Sequence, residues 1–270
     1  MTDTQVKFSP EGVPGAVNDP AAIFGEDLTF AGAGGTQVNG YLARPVAVDA
    51  THPAPAMIVI HEAMGLNEHI RDVTNRFANL GYVALGVDLY TREGGPPEMG
   101  EAMMLRLFSM SDATVLADLE GAAGFLRARK DMTGKVGCIG FCMGGRYTLL
   151  FAVSSVRLDA AVDCWGGFIE RATLDQDSTS TRPTPPLQLA PKLSCPLLAA
   201  VGAEDHNPSP ELAEQLRERA TKSGQEVKVD VYDGAGHAFF ADYRPSYAPG
   251  PAAELWKQIV PFLQRHLQEA

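Results

Sequence analysis

The stretch KVGCIGFCMGGR, residues 135–146, decides the fold. Its first half is a short apolar run of the kind that forms a strand buried on both faces, and its second half is glycine-rich and opens a helical segment. The change falls at Cys142, which predicts a strand, a sharp turn and a helix with the cysteine at the tip. Gly140 and Gly144 stand two residues either side, as the form G-x-S-x-G requires, here with cysteine in the serine position. Glycine is needed there because the turn is strained and neighbouring backbones press close to it. At the start of a helix the partial positive charge favours thiolate over thiol. The bland alternative is a buried structural cysteine in a glycine-rich packing turn.

Working outward, short apolar runs recur on both sides of this turn. Pro55–His61, Tyr82–Asp88, Leu158–Trp165, Pro196–Ala203 and Glu226–Asp233 alternate with segments of helical period. Alternation of this kind predicts an α/β fold, with a mostly parallel central sheet and helices on both faces. Asp27–Phe30 and Gln37–Arg44 flank the turn-like AGAGG and predict an N-terminal antiparallel hairpin. Leu66, Ile70, Val73, Phe77 and Leu80 form one apolar stripe, with Asn67 placed to cap it and Gly81 to stop it. Met99–Met110, Thr114–Lys130 and Pro210–Ser223 predict further helices, and Pro261 is expected to kink the last one. Residues 1–25 read as a surface arm and 26–270 as a single domain. The polar, proline-rich residues 169–194 read as a loop over the working edge of the sheet.

Composition narrows the function. The 270 residues carry 22 Lys and Arg against 33 Asp and Glu, a net charge of −11 that repels polyphosphate and anionic lipid surfaces. No nucleic-acid or membrane partner is expected. Four cysteines without a C-x-x-C pair argue against a disulfide scaffold or a zinc site, and no leader-like segment opens the chain, so a cytoplasmic location is expected. The six histidines show no H-x-H or H-E-x-x-H spacing, and the glycines at the turn lack G-x-G-x-x-G. Neither a metal nor a cofactor is therefore expected.

A cysteine nucleophile needs a base, and the base needs an orienting carboxylate. Asp205 follows the run PLLAAVGA and His237 follows VDVYDGAG, so both fall past the carboxyl ends of predicted strands, which gather at one edge of such a sheet. Glu204 is the rival acid, but adjacent extended residues point opposite ways and Asp205 is preferred. For the oxyanion hole the donors are the N–H of Met143, just after the nucleophile, and that of Ala63 in the loop HEAMG. Glu62 in that loop is either a regulator of the thiol or a solvated charge. Tyr147, Trp165, Phe239 and Tyr247 are candidates for lining the pocket, against the commoner role of packing, and Tyr247 is read as substrate-binding.

As an ordered set, HEAMGLN, VDLYTR, GKVGCIGFCMGGR, VGAEDHNP and GAGHAFF resemble the dienelactone hydrolase family, also called carboxymethylenebutenolidases, from about Leu28 to Leu267. The resemblance implies an α/β-hydrolase fold with Cys142 as nucleophile, Asp205 as acid, His237 as base and Glu62 as a thiol-associated glutamate. Arg92 resembles the arginine that grips the substrate carboxylate. A second such arginine of the family aligns with Ala241 here, and Arg244 is the residue that reaches in instead. The activity implied is hydrolysis of a small lactone or carboxylic ester through a thioester, by a monomer or weak homodimer. The alternative is a ligand-binding or redox-sensing module on the same fold, with Cys142 as an oxidisable thiol.

Overall fold

The computed structural model describes residues 2–3, 5–154 and 158–269, and for residues 2–3 the backbone alone. The nine strands among the described residues are β1 Thr2–Asp3, β2 Ile23–Ala31, β3 Gln37–Pro45, β4 Ala54–Ile60, β5 Val83–Val87, β6 Met132–Phe141, β7 Ala160–Cys164, β8 Leu197–Gly202 and β9 Val227–Tyr232. They form one sheet in the order β1-β2-β3-β5-β4-β6-β7-β8-β9. From β5 to β9 every pairing is parallel, while β1, β2 and β3 are joined by antiparallel pairing. The expected hairpin is β2 and β3, in register from Ile23 opposite Pro45 to Ala31 opposite Gln37.

Side chains alternate along the central strands and feed two cores. Met57 and Val59 of β4 pack on one face with α1, Glu68–Asn79, and α7, Pro249–Leu263. Ala56, Ile58 and Ile60 pack on the other with α3, Asp112–Arg127, α4, Met143–Ala152, and α6, Pro210–Ala220. Both faces are thus dry, which is why these strands read as unbroken apolar runs. Asn67 caps α1 by accepting from the Ile70 N–H at 3.0 Å, and Gly81 follows its end with φ +97°. The last helix keeps its α form through Pro261 and passes to a π turn at Gln264–Gln268. The irregularity therefore comes three residues after the proline.

Two connections differ from a simple loop. The stretch before Gly25 buries Val6, Val13 and Val17, and Val6 and Val17 pack with Tyr41 and Ala78. Residues 169–194 bury Ile169, Ala172 and Arg182 and contain the short helix α5, Pro186–Leu189. The remaining helix, α2 at Glu101–Ser109, lies between β5 and α3 in sequence.

Candidate active site

Cys142 sits between β6 and α4 with φ 55° and ψ −114°, a conformation that L side chains rarely adopt. Its backbone N–H donates to the Cys164 carbonyl at 3.0 Å, and its own carbonyl accepts from the Arg146 N–H at 3.2 Å. The turn has no room for larger neighbours. A Cβ on Gly140 would lie 2.1 Å from the Gly144 carbonyl oxygen, and one on Gly144 would lie 2.3 Å from that of Ile60. The glycines seen in the sequence are thus required by backbone approach.

The carboxyl ends of β8 and β9 bring the other two residues to this point. His237 lines the same cavity as Cys142, and its Nδ1 lies 2.8 Å from Asp205 Oδ2. Asp205 is itself fixed, since its Oδ1 accepts from the Asn207 N–H at 2.9 Å. Burial alone would lower the His237 pKa, but the charge of the Cys142 thiolate and the Asp205 hydrogen bond outweigh it and raise the group to about 10. These contacts favour the protonated ring. Glu204, the rival acid, is exposed.

These residues border a cavity of about 420 Å³. Ala63 and Met143 stand in its wall, as does Glu62, which is buried and not solvated. The Glu62 Oε1 accepts from the Tyr243 hydroxyl, and Oε2 lies 3.2 Å from Arg244 Nη1. Arg244 lines the cavity. The rest of the wall is largely apolar: Met103, Met104 and Leu107 of α2, Met64, Met143 and Phe168.

Two expected substrate contacts lie elsewhere. Arg92 is taken up by Asp118 of α3 and by the Ala33 carbonyl, because that buried carboxylate is the nearer partner, and it is absent from the cavity wall. Tyr247 packs at the margin of the aromatic core formed by Phe239, Phe240 and Trp256, in a turn closed by its N–H to the Arg244 carbonyl. Tyr147, Trp165 and Phe239 are likewise fully buried packing residues.

Other residues at the site carried little signal in the sequence. His61 is wholly buried; its Nδ1 lies 2.6 Å from the Glu62 carbonyl and its Nε2 accepts from the Leu89 N–H at 3.0 Å. Burial pushes its pKa down, so a neutral ring pins the turn that carries Glu62 and Ala63. Arg146, one turn into α4, forms a buried two-point pair with Asp112 at 2.6 and 3.0 Å. Its place in the sequence, directly after the glycines, was the one available clue.

A mostly parallel sheet with a strained strand-to-helix turn at Cys142, and an acid and a histidine past successive strand ends, defines the α/β-hydrolase class. Residues 38–267 match the dienelactone hydrolase family, and the chain belongs to that family. It is 32% identical to an Escherichia coli (strain K12) protein named "Putative carboxymethylenebutenolidase", over 98% of this chain and 97% of the other. It is 30% identical to a Bradyrhizobium protein named "Probable 2-oxo-3-(5-oxofuran-2-ylidene)propanoate lactonase", over 89% and 94%. A crystal structure from Klebsiella pneumoniae, described as a "Putative Dienelactone Hydrolase", superposes with a TM-score of 0.82 at 31% identity, covering 90% of this chain and 99% of that one.

Proposed function

We propose that this chain hydrolyses a small lactone or carboxylic ester through a thioester formed on Cys142. The observation that carries the reading is that Cys142, His237 and Asp205 line one cavity, with His237 Nδ1 2.8 Å from Asp205 Oδ2. The Cys142 thiolate attacks the carbonyl carbon, and the oxyanion is met by the N–H groups of Met143 and Ala63. The first N–H groups of α4 have no partner within the helix, which leaves that of Met143 for this task. His237 then gives its proton to the leaving alkoxide, while Asp205 holds the ring in place. Water, activated by His237, cleaves the thioester and restores the thiolate. Names of relatives that refer to a butenolide and a furanone lactone support this substrate class.

The cavity has one charged end and one apolar wall. Three arginines line the cavity; Asp112 holds Arg146 and backbone carbonyls hold Arg182, so Arg244, shared with Glu62, is the cation assigned to a substrate carboxylate, and the methionines of α2 and its neighbours suit an unsaturated or aliphatic body. The test is release of p-nitrophenol from p-nitrophenyl acetate beside ring opening of dienelactone, in the wild type and in Cys142→Ala. Turnover of either substrate that vanishes in the folded variant is the expected result. Full activity in Cys142→Ala would overturn the proposal, and activity on neither substrate in the wild type would favour a sensing role.

A further inference from the structure

Glu62 is 2% exposed, and its two carboxylate oxygens are held by two residues adjacent in sequence, Tyr243 and Arg244. The Tyr243 hydroxyl also accepts from Asn67 Nδ2 at 3.4 Å, and Asn67 is fixed by its cap on α1. The ring stands against that of His69, with centroids 5.1 Å apart. The hydroxyl of Tyr243, a residue 47% exposed, is therefore set by groups on a different element from its own, while Arg244, 26% exposed, has Glu62 as its ion-pair partner.

We propose that Tyr243 is a positioning residue for anionic substrates: it retains Glu62 at the cavity wall while Arg244 turns from Glu62 to the substrate carboxylate. This rests on the reading of Cys142 as nucleophile and Arg244 as the anion ligand. A buried carboxylate deprived of its cation is strongly disfavoured. When a substrate carboxylate draws on Arg244, Glu62 keeps a donor only through the Tyr243 hydroxyl, because the remaining cation contact is the one being shared. Remove the hydroxyl and Glu62 depends on Arg244 alone, so an anionic substrate must compete for the guanidinium at full cost. A neutral ester leaves the pair intact and meets no such competition. Tyr243 is thus a determinant of selectivity between the two.

The experiment compares p-nitrophenyl butyrate with the mono-p-nitrophenyl ester of glutaric acid, which adds a terminal carboxylate. In Tyr243→Phe the ratio of kcat/KM for the anionic over the neutral ester is expected to fall about tenfold, the effect of one hydrogen bond to a charged group, and to fall through KM. The same ratio is measured in Glu62→Gln with and without Tyr243→Phe, where the hydroxyl is expected to make no further difference because the competing charge is gone. A ratio within twofold of wild type in Tyr243→Phe, or an equal loss on both esters, would overturn the proposal. So would a tenfold fall that persists in the Glu62→Gln background. An active Cys142→Ala overturns the parent reading instead, so the two failures are told apart.

Discussion

Four cysteines in one chain offer a direct comparison of environment. Burial pushes the thiols of Cys138 and Cys195 up to about 12 and raises that of Cys164 well above its ordinary value, whereas Cys142 is partly exposed at a helix start. Iodoacetamide at neutral pH is therefore expected to add a single carbamidomethyl group to the native protein, at Cys142; a second adduct in the intact mass would contradict this. The same thiol bears on the histidine. His237 is raised to about 10 although burial opposes the shift, and the opposing contributions come from Cys142 and Asp205. In Cys142→Ala the histidine loses its largest source of support, and its pKa, followed by the ring proton chemical shifts, is expected to fall below about 10. A value still near 10 would mean that Asp205 alone sustains the imidazolium. At this scale the sequence was partly legible. Cys142, Asp205 and His237 were singled out because each follows an apolar run, and all three line one cavity. Arg92 was misplaced because resemblance fixes a position along the chain and says nothing of the carboxylate that folding puts beside it.

At the scale of elements, the strand ends do the positioning and the tight backbone crossings hold it. Gly144→Ala would set a methyl group 2.3 Å from the Ile60 carbonyl and force β4 and α4 apart, at a cost of about 1–3 kcal/mol or more in overpacking. Chemical denaturation of that variant checks the loss. β7 carries a second buried acid, Asp163, whose Oδ1 accepts from the Gly166 N–H at 2.8 Å. Burial raises its pKa from 3.8 to about 7, so the folded state binds its proton more tightly than the unfolded chain does. Its contribution to stability is complete below 3.8 and is lost as pH rises through about 7. Asp163→Asn is expected to flatten the stability profile across that interval, as thermal melts at a series of pH values would record; an unchanged slope would assign it to another group. The strands were legible because the dry interior leaves apolar runs with turn residues between them. Residues 169–194 were not, because their polar composition hides Arg182, which is buried by bonding the carbonyls of Ala172 and Leu107. Tyr243 was hidden for a related reason: its partners, Glu62 and Asn67, lie far away in the chain and meet it only in the folded molecule.

For the whole molecule, the integrating group is Arg76. It is fully buried on α1, and its guanidinium bonds Asp72, Asp242 and the Pro14 carbonyl, tying the first residues of the chain to the loop that carries Tyr243 and Arg244. Arg76→Met would leave two carboxylates without their cation and is expected to cost about 3–5 kcal/mol, read as a lower urea midpoint at unchanged slope. A loss under 1 kcal/mol would show that His69, 3.1 Å from Asp242, suffices. The apolar wall of the cavity is built on the opposite principle. Met103, Met104 and Leu107 project from α2, a helix apart from the crowded crossing of β4, β6 and α4. For laboratory evolution this divides the protein into frozen and free ground. A combinatorial library confined to those three positions explores new acyl or alcohol groups without disturbing the turn at Cys142, while one that samples the glycines is filled with destabilised chains.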